Sequence, residues 1–358
     1  MKNCADSSVD IFNKIRFTVF ADLHYKKGMY ISSVSDIRQI TDRAHRDDAD
    51  FVIHVGDLCN DYLRSVELTD AYLHNSHSLP AYGVYGNHEL ESRENSMEYV
   101  TERLCNRHVV WGTPDGERGD GNTGYYFFDI NGFRVVGLDT NYSFDPDSGV
   151  WEHNRTASWG APSDNIRKDS LGDVQLTWLE GVLRDAAERG LSCLLFSHVG
   201  FSGVWYSSPD TGRVQQMIRH INKERSGTVL MSVSGHLHTD HQALIDGVVH
   251  FDVNTVRNGL WLPEGEEHYG DMTYAFVDYD CDGKETARYD RPLSDAWMSK
   301  QTWFFDRPLS ATVTVEKNAG ITVKGSETSW YGGVEPEARY GVRPRISDGI
   351  YLIKEDHK

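Results

Sequence analysis

The side chains best suited to chemistry sit in five short stretches of the chain. Asp22-Leu23-His24, Gly56-Asp57, Gly86-Asn87-His88-Glu89, Ser197-His198 and Gly235-His236-Leu237-His238 each follow an apolar run. In chain order they supply carboxylates, an amide and imidazoles. Carboxylate oxygens are hard ligands suited to Mn, Mg and Fe, and imidazole widens the choice to Fe, Zn and Ni. The set Asp22, His24, Asp57, Asn87, His198, His236 and His238 therefore has the composition of a binuclear metal site. Asp-x-His and His-x-His at strand ends place alternate side chains on one face. On that reading Leu23 and Leu237 point the other way, into the core. A single Asp or His carries little weight, because most are ordinary surface or core residues. The chain has sixteen histidines, and His54, His241 and His250, close to the motifs but matching none, read as structural. The order of all five stretches, each closing a strand-like run, is what carries the metal reading.

Those stretches need a scaffold that brings strand ends together. Arg16 to Ala21, Phe51 to Val55 and Ala81 to Tyr85 read as buried strands. Between and after them, Ser33 to Asp47, the stretch through Val66, Leu68, Tyr72 and Leu73, and Met97 to Leu104 read as helices. Strand and helix in alternation, with polar residues at each strand's carboxyl end, give an α/β sheet with a site along one edge. Thr123 to Asp129 and Phe133 to Leu138 flank Ile130-Asn131-Gly132, a hairpin signal. Asp139 to Leu171 shows no period and reads as a long functional loop. A helix over Asp173 to Arg189, closed by Gly190, leads to the strand Leu191 to Ser197 that delivers His198. After a loop over Val199 to Asp210, a helix from Thr211 to Asn222 precedes the strand Thr228 to Ser234, which delivers His236 and His238. Asp246-Gly247 and Asp282-Gly283 mark further hairpins, and Asn318-Ala319-Gly320 another. The composition shifts near Asp295, so residues 1–294 are expected to form the main domain and 295–358 a small β-rich C-terminal extension.

At 358 residues, 39% hydrophobic and with nine tryptophans, the chain has enough apolar surface for a sizeable core. Its net charge of −18 disfavours nucleic acid and anionic membrane surfaces as partners. Bound cations can reverse that sign locally, so a phosphate-bearing substrate stays open. Five scattered cysteines without a Cys-x-x-Cys point to a reducing compartment. With no signal-like or membrane-spanning run, the expectation is a soluble cytoplasmic protein.

The five stretches resemble the calcineurin-like metallophosphoesterases. That family's pattern is Asp-x-His, Gly-Asp, Gly-Asn-His-Glu/Asp, a single His and Gly-His-x-His, and the match runs from about residue 16 to 255. The resemblance implies a four-layer α/β sandwich of two mixed sheets flanked by helices. It implies one metal ion held by Asp22, His24, Asp57 and His238, and a second held by Asp57, Asn87, His198 and His236, with Asp57 bridging. Mn or Fe is expected, with Zn, Ni or Mg as alternatives. It further implies attack on phosphorus by a metal-bridging hydroxide, with Asn87 and His88 at the phosphate and His88 protonating the leaving oxygen. Glu89 is then a supporting group rather than a ligand.

Two departures narrow the branch. Protein Ser/Thr phosphatases carry Gly-Asp-x-Val-Asp-Arg-Gly, whereas this chain has Gly56-Asp57-Leu58-Cys59-Asn60-Asp61 and no arginine. Asp61 is left as the candidate partner of His88. Tyr62 is not at the offset that purple acid phosphatases use. Asp139-Thr140 and Asp173-x-Gln175-x-x-Trp178-Leu179 resemble the small bacterial phosphodiesterase and phosphohydrolase branch. The expected activity is thus metal-dependent hydrolysis of a small-molecule phosphoester, a nucleotide-type phosphodiester slightly favoured. A phosphomonoesterase or a non-catalytic metal-binding scaffold are the alternatives. Trp151, Trp159, Trp205 and Tyr206 are candidates for stacking on a substrate ring, and Arg155, Arg167 and Arg213 for a second phosphate.

Overall fold

The structure, a computed structural model, describes residues 13–25, 34–59, 66–90, 101–113, 118–119, 123–145, 150–153, 167–203, 207–238, 240–256, 258–259, 273–279, 285–292, 303–305, 307–326, 330–331 and 346–352. Strand β1 (Lys14–Phe20) is followed by helix α1 (Val34–Arg46), β2 (Phe51–His54), α2 (Val66–Leu73) and β3 (Ala81–Gly83). β1, β2 and β3 pair in parallel. Next come β4 (Val110–Gly112), β5 (Arg118–Gly119), β6 (Tyr126–Ile130) and β7 (Phe133–Gly137). β6 and β7 are joined through Asn131 (φ 50°) and Gly132 (φ 79°), both left-handed, as a two-residue hairpin turn requires.

The stretch read as a structureless loop is not one. It contains β8 (Tyr142–Asp145), β9 (Val150–His153) and β10 (Arg167–Ser170), paired antiparallel in the order β10-β8-β9. Helix α3 (Gly172–Arg189) ends at Gly190 (φ 73°), whose N–H reaches back to the last turn. β11 (Ser192–Phe196), α4 (Thr211–Glu224) and β12 (Val229–Ser234) follow, then the hairpin of β13 (His241–Ile245) and β14 (Val248–Asp252). Beyond these are β15 (Asn258–Gly259), β16 (Thr273–Tyr279), β17 (Glu285–Pro292) and β18 (Trp303–Phe305). β19 (Ala311–Glu316), β20 (Gly320–Gly325), β21 (Trp330–Tyr331) and β22 (Gly349–Leu352) complete the set. The first half of the helix read over Met97 to Leu104, and the turn at Asp282-Gly283, lie outside the described residues.

Two large mixed sheets result, one ordered β22-β20-β19-β1-β2-β3 and the other β13-β14-β12-β11-β7-β6-β4-β5. Strands from the stretch read as a C-terminal extension thus enter the first sheet, where β19 pairs antiparallel with β1 from Lys14↔Glu316 to Val19↔Ala311. Alternation along the strands fixes which face meets which layer. Phe17 and Val19 of β1 pack with Phe51, Ile53, Val135, Phe196 and Val313 between the sheets. Phe20 and Val52, on the opposite face, pack with Ile37 and Ile40 of α1 and Leu68 and Tyr72 of α2. Across the second sheet, Val136, Leu138 and Leu195 pack with Leu179 and Val182 of α3 and Ile218 of α4. The layers are helices, sheet, sheet, helices, the expected four-layer sandwich. Among the described residues no helix is long and apolar enough to cross a membrane.

One buried histidine away from the motifs sets an acid limit. His250 on β14 is 3% exposed, and burial pushes its imidazole down to about 4 from 6.5. Its folded value is depressed, so the unfolded chain takes the proton first and stability is lost as pH falls from 6.5 towards 4. Replacing His250 by glutamine should flatten that part of the stability profile, read as the urea midpoint at pH 7 and pH 5.

Candidate metal centre

All five stretches leave their strands at the same edge of the sandwich. The backbone there does not continue the strand alternation. Asp22 (φ 54°), His24 (51°), Asp57 (51°), His236 (68°) and His238 (52°) are left-handed. Aspartate and histidine tolerate this conformation better than most residues, and it clusters at functional sites. The reason inferred from sequence for the Asp-x-His and His-x-His spacing is therefore corrected: the chain turns at each of these residues. Leu23 is buried as expected, but Leu237 is only half-buried.

Backbone hydrogen bonds then lock the turns together. Asp22 N–H donates to Gly56 O (3.1 Å), His24 N–H to Asp57 O (2.8 Å) and Gly235 N–H to His198 O (3.0 Å). The His236 N–H donates to Asp22 Oδ2 at 3.0 Å. Gly86 is needed because a Cβ there would collide with the Asp57 carboxylate.

Seven side chains converge. His24 Nε2 and His238 Nε2 are 3.0 Å apart, and His238 Nε2 is 3.3 Å from Asp22 Oδ1. Asp57 Oδ2 is 3.2 Å from His198 Nε2 and 3.7 Å from His24 Nε2. His236 Nδ1 is 3.1 Å from His198 Nε2, and Asn87 Oδ1 is 3.3 Å from the same nitrogen. Two clusters have the spacing of metal ligands at either end, Asp22/His24/His238 and Asp57/His198/His236; a third, His24/Asp57/His88, lies between them. His88 is thus brought to the same place, its Nε2 3.9 Å from Asp57 Oδ2 and its ring 4.7 Å from that of His24. Asp61 lies outside the described residues.

The charge states suit cations. Burial works against the Asp57 carboxylate, but His198, His88 and His24 hold it well below the usual range. Burial likewise opposes ionisation of Asp22, and His238 and His198 outweigh it. Burial pushes His24 and His236 down to about 4, so both are neutral at pH 7 with a lone pair to offer. His198 goes the other way, to about 10, because Asp57 and Asp22 outweigh its burial, so at pH 7 it holds a proton that a bound cation would have to displace. Its Nδ1–H donates to Val55 O at 2.8 Å, which aims Nε2 at Asp57 and Asn87. Two ionised carboxylates, an amide oxygen and imidazole nitrogens on tight backbone turns form the donor set that hard and borderline cations take.

The supporting residues are those least visible in the sequence. Glu89 is fully buried, and its carboxylate accepts the N–H groups of Gly86 (2.5 Å), Asp57 (2.9 Å) and Cys59 (3.2 Å). It ties the turn carrying Asp57 to the one carrying Asn87. Its presence in Gly-Asn-His-Glu was the available signal. Asp139 and Gln175 exchange hydrogen bonds, Asp139 N–H to Gln175 Oε1 (2.9 Å) and Gln175 Nε2 to Asp139 O (2.7 Å). Asp139 also pairs with His153 Nε2 at 2.8 Å, a partner no spacing announced.

Of the candidate substrate contacts, Trp151 donates its indole N–H to Asp173 and packs on Phe144, so it serves its own sheet. Arg213 is paired with Asp173 and Asp210. Arg155, Trp159, Trp205 and Tyr206 lie outside the described residues.

Comparison with known proteins agrees with this arrangement. No curated protein matches the chain. Among solved structures, a dimetal phosphatase from Danio rerio is 16% identical with a TM-score of 0.54, covering 95% of this chain and 99% of that one. GAP50, described as the anchor in the inner membrane complex of Plasmodium, is 13% identical with a TM-score of 0.51, covering 96% and 90%. At such identities these likenesses speak for the fold. A family profile described as calcineurin-like phosphoesterase matches residues 15–240, more than half of the chain. The chain belongs to the calcineurin-like phosphoesterase family.

Proposed function

We propose that the chain is a metal-dependent phosphoric ester hydrolase acting on a small-molecule phosphoester, with a nucleotide-type phosphodiester ahead of a monoester. The observation that carries this reading is Asp57, whose carboxylate reaches towards both end clusters, 3.7 Å from His24 Nε2 and 3.2 Å from His198 Nε2. Asp22, His24, Asp57 and His238 would hold one ion; Asp57, Asn87, His198 and His236 would hold the other. Mn or Fe suits this mixed oxygen and nitrogen set best, with Zn, Ni or Mg as alternatives. When bound, two such ions neutralise phosphoryl oxygens and acidify a coordinated water.

The chain's own residues do the remaining work. His88 is 23% exposed at the mouth of the site and is the group in reach to protonate a leaving oxygen. Its backbone N–H donates to Asp57 Oδ1 at 2.9 Å, which couples the proton donor to the shared carboxylate. Asp61 is carried as its partner on sequence grounds alone. His88→Ala should keep its metal and lose on the order of 10²–10⁴-fold in turnover of a substrate with a poor leaving group. Full activity of that variant would remove His88 from the role.

Substrate class is tested by comparing a nitrophenyl phosphodiester with the corresponding monoester, in Mn²⁺ added after chelation. Faster diester hydrolysis supports the phosphodiesterase reading, and faster monoester hydrolysis replaces it. A second reading is a non-catalytic scaffold, favoured by the fold shared with a protein described as an anchor. A purified chain that takes up no transition metal would sink the enzyme reading, and a metal-loaded chain silent on both nitrophenyl esters would favour the metal-binding scaffold.

A further inference from the structure

The turn that carries His236 and His238 is fixed at its two ends by different parts of the chain. At the near end, His236 N–H is held by the Asp22 carboxylate and Gly235 N–H by His198 O. At the far end, two residues beyond His238, Asp240 Oδ2 accepts both the backbone N–H (2.9 Å) and the hydroxyl (2.5 Å) of Ser347. Gln242 continues the contact. Its Nε2 donates to Ser347 O at 2.8 Å, and its Oε1 accepts from the Tyr351 hydroxyl at 3.0 Å. A Cβ at Gly349 would run into Gln242 Oε1, so a larger residue there would push that side chain aside.

Topology gives these contacts a consequence beyond closing an edge. β22 and β13 are the outermost strands of the two sheets, and they meet here. β22 pairs with β20, β20 with β19, and β19 with β1, at whose end Asp22 stands. Asp22 Oδ1 is in turn 3.3 Å from His238 Nε2. The C-terminal strands therefore link the chain behind Asp22 to the chain behind His238 in a closed ring. A left-handed residue such as His238 stays in place only where its surroundings over-determine it.

We propose that Ser347, through Asp240 and with Gln242 and Tyr351 beside it, is a positioning residue for His238 and so for the ion bound by the Asp22/His24/His238 cluster. The inference rests on the metal-centre reading above. The bland alternative is that the contact only seals the sandwich edge. Sealing would affect both ions and the fold alike. Positioning weakens one ion and acts through His238.

The test is Mn²⁺ titration of the full chain by calorimetry, with wild type, Ser347→Ala, Ser347→Thr, His238→Ala and the double variant Ser347→Ala/His238→Ala. Ser347→Ala should weaken one of two Mn²⁺ sites by about 10–100-fold, the range for groups that orient ligands, and leave the other unchanged. Ser347→Thr, which keeps the hydroxyl, should restore most of that loss. In the His238→Ala background, Ser347→Ala should cost nothing further, as expected of two residues acting as one unit. If Ser347→Ala fails to fold, Tyr351→Phe, which removes one hydroxyl from the same contact, carries the test with a smaller loss at the same site. Unchanged affinity at both sites, equal weakening of both, or additive losses in the double variant would overturn the proposal. A wild-type chain that binds no Mn²⁺ would instead overturn the metal-centre reading itself.

Discussion

Asp57→Ala is expected to reduce bound metal well below two ions per chain and to cut turnover on the order of a thousandfold, as loss of a central electrostatic group does. The carboxylate is 2% exposed and, among the described residues, is the acidic group within 4 Å of the imidazoles of His24, His88 and His198 alike. Its other oxygen holds the His88 N–H at 2.9 Å. The substitution thus removes the proposed shared ligand and loosens the proposed acid in one step. Asp57→Asn keeps the shape and the acceptor oxygen but halves the donor capacity and removes the charge, so it should fall between the two. Metal content after gel filtration, read beside diester turnover, checks both variants. Two retained ions with turnover close to wild type would show that Asp57 is not shared.

Glu89→Leu should have the largest effect on stability, although Glu89 is not among the expected ligands. Three backbone N–H groups end on its buried carboxylate, and leucine leaves all three without it. Each stranded donor costs about 1–3 kcal/mol, so the total for three is roughly 3–9 kcal/mol. That is a large share of the ~5–15 kcal/mol a domain has in hand. Glu89→Gln is isosteric and loses one acceptor, so about 1–3 kcal/mol is expected. Urea unfolding of both variants decides it: equal midpoints for the two would mean that other groups take up the N–H bonds.

The contrast between these residues explains what could be read from the chain before its structure. Asp22, His24, Asp57, Asn87, His198, His236 and His238 stand out in the sequence because few residue types can serve as metal ligands, and the structure brings all seven side chains together. The strands β2, β3, β11 and β12 stand out in the sequence because burial on both faces leaves a largely apolar run, and β1 because apolar residues alternate with Arg16 and Thr18. The left-handed turns at the site were not, since Asp and His occur in that conformation without being marked for it.

Between Asp139 and Leu171, strand β10 reads Arg167-Lys168-Asp169-Ser170, with no apolar residue to betray it. Its pairing with β8 comes from hydrogen bonding across the chain, which periodicity does not report. Likewise Asn318-Ala319-Gly320 signalled a hairpin, but nothing local announced that β19 would pair with β1. Asp139, Gln175 and His153 form one cluster through backbone and side-chain groups far apart in sequence, so only the first two, singled out by resemblance, could be found.

The pairing of β1 with β19 also sets the order of events during synthesis. Arg16 and Thr314, in contact across that pair, are 298 residues apart. At ordinary translation rates roughly 15–60 s separate their appearance. Throughout that interval β1 has one flank with no strand to pair with, an edge that other chains can occupy. Contacts of such long range also fold slowly, because the chain must be closed before they repay it. The strand that presents Asp22 is made long before the strand that pairs along its second edge. The sheet behind the metal centre therefore keeps this edge of β1 open at least until residues 311–316 have been made.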